Sequence, residues 1–391
     1  MDKIENFVKE IEDEIINHRR ELHKIPEVGL NLPNTKNYIV NELKKMDIEV
    51  KEYNSCSGIS AVIGNKEGKV IAIRSDMDAL PIKEETELFY ASKNGNMHAC
   101  GHDGHMAIVL GVGKVLKKFE DKLNGKVKLI FQPGEEKDGG AKLLVNEGIL
   151  NNPKVDLILG IHVGNFIDEI ENGTVGLFKG SFMASIDRFK IKIKGKATHG
   201  ATPHKGIDPI YISSHVILGI QEIILRELEV FSPSVLSFGK ISGGTTYNVI
   251  PEYIEIEGTV RTLDKNIREY IPKRMEEITS SIVKGFRGSY EFNYNFGYPV
   301  VVNDSKLVDK FYESIKNLID KEKLVFLKKP TMVGEDFSYY TENIPGLYIF
   351  LSSKKENIYP HHNPKFDINE KVLPIGTLVL SMFIFDLLNE K

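Results

Sequence analysis

Apolar residues recur at Ile4, Phe7, Val8, Ile11, Ile15 and Leu22, the spacing of one helical face, and Pro26 and Gly29 mark where that helix stops. A second helix is expected over residues 35–46. The pattern then turns to short continuous apolar runs. "GISAVIG" and "KVIAIR" read as strands, a helix follows His105 through "MAIVLGVGKVLKKF", and "GKVKLIF" reads as the next strand. The short helix "AKLLVNEGIL" and the strand "VDLILGIHV" continue the alternation. Buried strands alternating with helices predict an α/β domain whose mixed, largely parallel sheet lies between helices.

Beyond Ala184 strict alternation takes over. In "DRFKIKIKG", Phe189, Ile191 and Ile193 point one way and the lysines the other. A long helix is expected over 209–229, then the strands "SVLSFGKISGG" and "YIEIEGTVRT", a helix over 265–286 and the strand "SYEFNYNF". The order β-α-β-β-α-β is that of a ferredoxin-like α+β unit, an open sheet with its helices on one side. Helix and buried strand ("LYIFLS") resume after Pro299. The expected organisation is therefore a discontinuous α/β domain over 1–183 and 298–391, with an inserted α+β domain over 184–297.

Bulk properties change this picture little. A chain of 391 residues calls for about two domains. With 27% charged residues and a formal net charge of -4, it gives no electrostatic basis for nucleic-acid binding. No apolar run is expected to reach the roughly 18 residues of a spanning helix, and "MDKIENFVKEIEDEI" does not resemble a signal peptide. No membrane partner is therefore expected. Two cysteines, Cys56 and Cys100, make no disulfide framework, so a cytoplasmic location is expected.

The polar residues carry more. Asp76 and Asp78 follow "VIAIR", Glu135 and Glu136 follow "VKLIFQ", His162 ends "LILGIH", and His361 and His362 lie after "LYIFLS". Cys100 and His102 stand before a helix in a loop bracketed by Gly101 and Gly104. Ligands of open α/β sheets gather at the carboxyl ends of strands, so these distant segments are expected to converge. Each alone has a plainer reading: the acid pair as a solvated turn, His162 as a hydrogen-bonded core residue, "DMD" as a helix cap. Their agreement on strand ends is what those readings do not predict. A thiol nucleophile at Cys100 with His102 as base leaves the other groups idle. A closed structural zinc site wants local Cys/His spacing. Dispersed, carboxylate-rich ligands suit an open catalytic site, and their number suits two ions.

Together and in order, "MHACGHDGH", "FQPGEE", "GIHV", "GEDFSYY" and "HHNPKFDINE" resemble the di-metal amidohydrolases that include aminoacylases, hippurate hydrolases and indole-acetyl-amino-acid hydrolases. The resemblance covers nearly the whole chain, from "RRELHKIPEVG" onward. It implies a phosphorylase/hydrolase-like metal-binding α/β catalytic domain carrying an inserted lid. It implies that Cys100 bridges two divalent ions (Zn, Mn or Co) also held by His102, Glu136, His162 and His362. Glu135 is then the general base, and Asp78 the carboxylate that orients a histidine ligand, with Asp76 in support. On the lid, His199 matches an oxyanion donor, and Asn248 and Arg261 match substrate-binding residues. Asn248 also has a reading as a turn residue, and Arg261 as half of a surface ion pair. His98, His105, His204 and His361 are expected to be supporting or structural. Gly134 stands where the family often has alanine. The implied reaction is hydrolysis of N-acyl-L-amino acids. Deacetylation of N-acetyl-diaminopimelate, cleavage of small peptides and a non-catalytic metal-binding role are the alternatives. The open edge of the lid sheet is a candidate surface for a homodimer or homotetramer.

Overall fold

Four of the apolar runs lie side by side as parallel neighbours: Gly125–Gln132, Lys69–Asp76, Leu157–Gly164 and Gly346–Ser352. Their register pairs Asp76 with Gln132, Arg74 with Gly160, and Phe350 with His162. The carboxyl ends therefore reach the same edge in step, which is where the polar residues of the sequence fall. Ile59–Ile63 and Val50–Glu52 extend the sheet antiparallel on one side, and Val175–Leu177 and Leu324–Phe326 complete its eight strands on the other. The sheet is thus mixed, as expected from the alternation of buried strands with helices.

The structure is a computed structural model and describes residues 2–137, 139–356 and 359–390. The chain divides into two units. The first comprises Met1–Gly180, Val302–Lys329 and Asp336–Lys391; the second, Ser181–Val301 and Pro330–Glu335. Pro330–Glu335 lies outside the sequence-based bounds of the inserted segment. It groups with the second unit because Ala184 N donates to Thr331 O and Val333 O there.

In the first unit the helix His102–Lys118 packs against Glu12–His23 and Leu373–Asn389. The N-terminal periodicity is one apolar face but two helices, Asp2–Glu10 and Glu12–His23. They part at Ile11, and the first rests mainly on Leu373–Asn389 while the second rests mainly on His102–Lys118. A bend there lets both halves keep their apolar side on the core. The C-terminal helix corrects another expectation. Glu370–Asn389 is long and apolar enough to cross a membrane by length and composition, but most of its apolar stretch is buried inside the protein. Ile108 and Thr377 pack where Gly376 and Gly111 bring the two helices close, so its apolar surface is used within the fold.

A buried charge cluster ties the first unit together. Arg19, 1% exposed, donates to Asp103 at 2.8 Å, Asp367 at 2.7 Å and Glu370 at 2.9 Å. Burial alone would raise the Asp103 carboxyl, but Arg19 and His23 outweigh it and hold the group well below the usual carboxylate range. Removing one partner of such a group strands a buried charge. Arg19→Met is therefore expected to lower the unfolding free energy by about 3–5 kcal/mol. Urea titration of the metal-free protein measures this, and a loss below about 1 kcal/mol, the size of a surface pair, would contradict it.

The second unit carries a four-stranded antiparallel sheet in the order Ser234–Gly243, Tyr253–Thr262, Asp187–Lys194, Ser289–Phe296. Counted along the chain this order is two-three-one-four, that of the split β-α-β-β-α-β unit. Phe189, Ile191 and Ile193 are buried against Ile212, Val216, Ile220, Ile271 and Met275 of the helices Pro209–Glu222 and Lys265–Gly285. Asp208 and Asp264 cap those helices by accepting two main-chain N–H bonds each.

Candidate metal centre

Gly101 sets the first two ligand candidates. Its backbone is left-handed (φ 89°), and a Cβ there would lie 3.1 Å from Val163 O. Glycine thus lets the loop turn tightly against the strand Leu157–Gly164 and start the helix at His102. Cys100 stands just before this turn, 6% exposed. The helix begins four residues earlier than the apolar pattern alone suggests, so His102 occupies its first turn.

The strand Gly125–Gln132 ends and Gly134, with φ 76°, reverses the chain. A residue with a Cβ is strained in that conformation, which accounts for glycine here. Glu135 and Glu136 follow, and both are held by one carboxylate: Asp78 Oδ1 accepts from Glu135 N at 2.9 Å and Oδ2 from Glu136 N at 3.1 Å. Burial pushes the Asp78 carboxyl up to about 6, against the opposing pull of His102 and these two N–H donors. The expected role of Asp78 changes in detail. Its main-chain O, not its carboxylate, accepts the Nδ1–H of His102 at 2.8 Å, while carboxylate Oδ1 stands off at 3.8 Å.

His162 is fixed in the same way, with Nδ1 donating to Val163 O at 3.0 Å; the strand continues past it to Gly164. Both rings therefore commit Nδ1–H to a carbonyl and turn Nε2 inward, His162 Nε2 to 3.7 Å from Cys100 Sγ and His102 Nε2 to 4.0 Å from Glu136 Oε1. His362, in the loop after Gly346–Ser352, brings Nε2 to 3.3 Å from Glu136 Oε1. The ligating atoms form close groups: Cys100 with His102 and His162, Cys100 with Glu136 and His362, and His102 with Glu135 and Glu136. Cys100 joins the group with His102 and His162 to the group with Glu136 and His362, while His102 and Glu136 recur together with Glu135 in the third.

The electrostatics fit the same use. Burial, reinforced by Glu136 and Glu135, pushes the Cys100 thiol well above its usual value. Burial, reinforced by His105 and His361, pushes the His162 imidazole well below its own. A thiolate–imidazolium pair of Cys100 with His162 is thus disfavoured. A bound divalent cation favours thiolate and neutral imidazole together.

The supporting histidines separate by their bonds. His105 Nε2 accepts from Val163 N at 2.8 Å, so its Nδ1 carries the proton and donates to Asp76 at 2.7 Å. Asp76 also pairs with Arg74, which reaches Asp336 at 2.7 Å, and Asp336 accepts from Gln132 and Ala141. "RSDMD" and "GEDFSYY" thus brace the strand ends beneath the ligands. His98 is buried, with neither ring nitrogen bonded among the described residues. The Arg74–Asp336 brace and the Arg19–Asp103 contact were missed in the sequence, where only their motifs signalled them.

On the second unit, His199 pairs with Val249, and Gly200 N donates to Asn248 O at 2.8 Å. His199 Nδ1 accepts from Ala201 N at 3.1 Å, which leaves the proton on Nε2. Asn248 Oδ1 accepts from Thr246 Oγ1 at 3.2 Å, so a turn role is also met. His204 lies in the short turn Pro203–Lys205. Arg261 is half-buried and donates to Met332 O at 2.8 Å; no carboxylate pairs with it among the described residues. The surface ion pair considered for it is therefore not formed.

Comparisons with known proteins point the same way. Residues 72–386 match the model of peptidase family M20/M25/M40. The chain is 38% identical over 402 residues to thermostable carboxypeptidase 2 of Saccharolobus solfataricus, covering 100% of this chain and 99% of that protein. It is 39% identical over 366 residues to N-acetyl-L-cysteine deacetylase of Bacillus subtilis, covering 93% and 85%. A solved Bacillus subtilis structure, described as a dinuclear metal binding peptidase from the M20 family, matches with a TM-score of 0.85 at 34% identity, covering 98% of this chain and 100% of that one.

Proposed function

Because this chain belongs to peptidase family M20/M25/M40 and is a hydrolase acting on amides, we propose that it cleaves the amide bond of N-acyl-L-amino acids at a two-metal centre. The observation that carries the reading is the convergence of Cys100, His102, Glu136, His162 and His362 in overlapping groups that Cys100 joins, with Glu135 grouped with His102 and Glu136. Cys100, His102, Glu136, His162 and His362 are the residues that would hold two ions of Zn, Mn or Co. When bound, the ions supply Lewis-acid polarisation of the carbonyl and acidify water. Glu135 takes one proton from the water as its oxygen attacks the carbonyl carbon. As the carbon–nitrogen bond breaks, Glu135 delivers that proton to the departing amine. In this reading His199 supplies an N–H to the developing oxyanion, and Arg261, which pairs with no carboxylate among the described residues, takes the substrate's. The second unit, its four-stranded sheet included, is assigned the role of lid.

A carboxypeptidase and an aminoacylase cut the same bond, the amide to an amino acid with a free carboxylate. The similarity to a carboxypeptidase makes short peptides the second reading. Hydrolysis rates for acetyl, benzoyl and dipeptide forms of a common C-terminal residue separate the two. Under either, amidating the substrate carboxylate is expected to raise KM strongly, and Arg261→Met is expected to raise KM for the free acid by about 10–100-fold without that effect on the amide. Equal penalties on both would remove Arg261 from carboxylate binding.

A further inference from the structure

His361 lies next to a proposed ligand but cannot itself be one, and its bonds say why. Asn165 N–H donates to His361 Nε2 at 3.0 Å, so Nε2 holds its lone pair and the ring proton sits on Nδ1. That Nδ1 lies 3.6 Å from Cys100 Sγ. The ring is locked in place. Phe166 stacks on it at 3.6 Å between centroids and 11° between planes, and Phe366 approaches at 4.5 Å. Gly164 makes the room, since a Cβ there would fall 2.2 Å from His361 Nε2. Three separate features of the strand end thus serve one N–H direction.

We propose that His361 is a positioning residue that donates its Nδ1–H to the sulfur of Cys100 and thereby tunes the bridging thiolate. The inference rests on the reading of Cys100 as a metal ligand. A hydrogen bond to a metal-bound thiolate withdraws electron density from sulfur and fixes its orientation. The stacked aromatic pair and the Asn165 N–H keep the ring from turning its lone pair to the metals instead. Of the two histidines in "HHNP", one then coordinates and the other modulates.

The test loads the enzyme with Co(II) and records the thiolate-to-cobalt charge-transfer band, beside Co(II) affinity by titration. His361→Phe keeps a flat ring for Phe166 but removes the donor. It is expected to move the band to longer wavelength and to weaken affinity by about 10–100-fold. His361→Asn, whose amide nitrogen sits as many bonds from Cα as Nδ1, is expected to return the band toward its original position. Should the Phe variant fail to fold, His361→Leu serves as the variant without a donor. An unmoved band with unchanged affinity in the variant lacking the donor overturns the proposal. Absence of any such band in the unaltered enzyme overturns the assignment of Cys100 beneath it, a separate result.

Discussion

Glu135→Gln is expected to bind its full complement of metal and to lose about 10²–10⁴-fold in kcat. The substitution is nearly isosteric. The main-chain N–H of residue 135 still donates to Asp78, so the turn after Gly125–Gln132 keeps its shape and Glu136 keeps its place. What is lost is one proton acceptor. Glu135 and Glu136 are adjacent, yet their surroundings differ: Glu136 has His362 and His102 within 4.0 Å, and these outweigh the burial that would raise its carboxyl. Measured kcat together with metal content by elemental analysis distinguishes the roles. Full activity removes Glu135 from the chemistry. Loss of metal in step with activity makes it a ligand.

Removal of metal by a chelator is expected to abolish hydrolysis, and added Zn, Mn or Co to restore it. The physical reason is the composition of the centre. A buried thiol, two inward Nε2 lone pairs and a buried carboxylate are a poor acid–base catalyst on their own, because burial holds the thiol protonated and the imidazole neutral. The same set is a good cation site. A thiol hydrolase makes the opposite forecast: activity indifferent to chelator and abolished by alkylation of Cys100. Dependence on metal therefore separates the two mechanisms as well as testing the ligands.

Much of this was legible in the sequence because it rested on short-range pattern. Alternation in "DRFKIKIKG" and the apolar run "KVIAIR" located strands whose burial follows the same pattern. Ligand-type residues after strands pointed to one edge of the sheet, and parallel register brings those strand ends together there. What escaped depended on partners distant in the chain. The carboxylate of Asp78 was assigned to a histidine, but it braces two main-chain N–H groups while its carbonyl holds the ring. His361 gives no sign in sequence of its bond to Asn165, 196 residues away. The C-terminal helix shows the same limit: its hydropathy resembles that of a membrane span until its burial against His102–Lys118 is seen. The break at Ile11 accompanies a change in the main packing partner of the two halves, which a single apolar stripe does not encode.

The most direct test of the central claim is anomalous diffraction from crystals of the metal-restored enzyme, collected on both sides of the absorption edge of the added metal. The account predicts two peaks per chain with Cys100 Sγ bonded to both, one also bonded to His102 or His162 and the other to Glu136 or His362. A single peak, or two peaks that do not share Cys100, would contradict it.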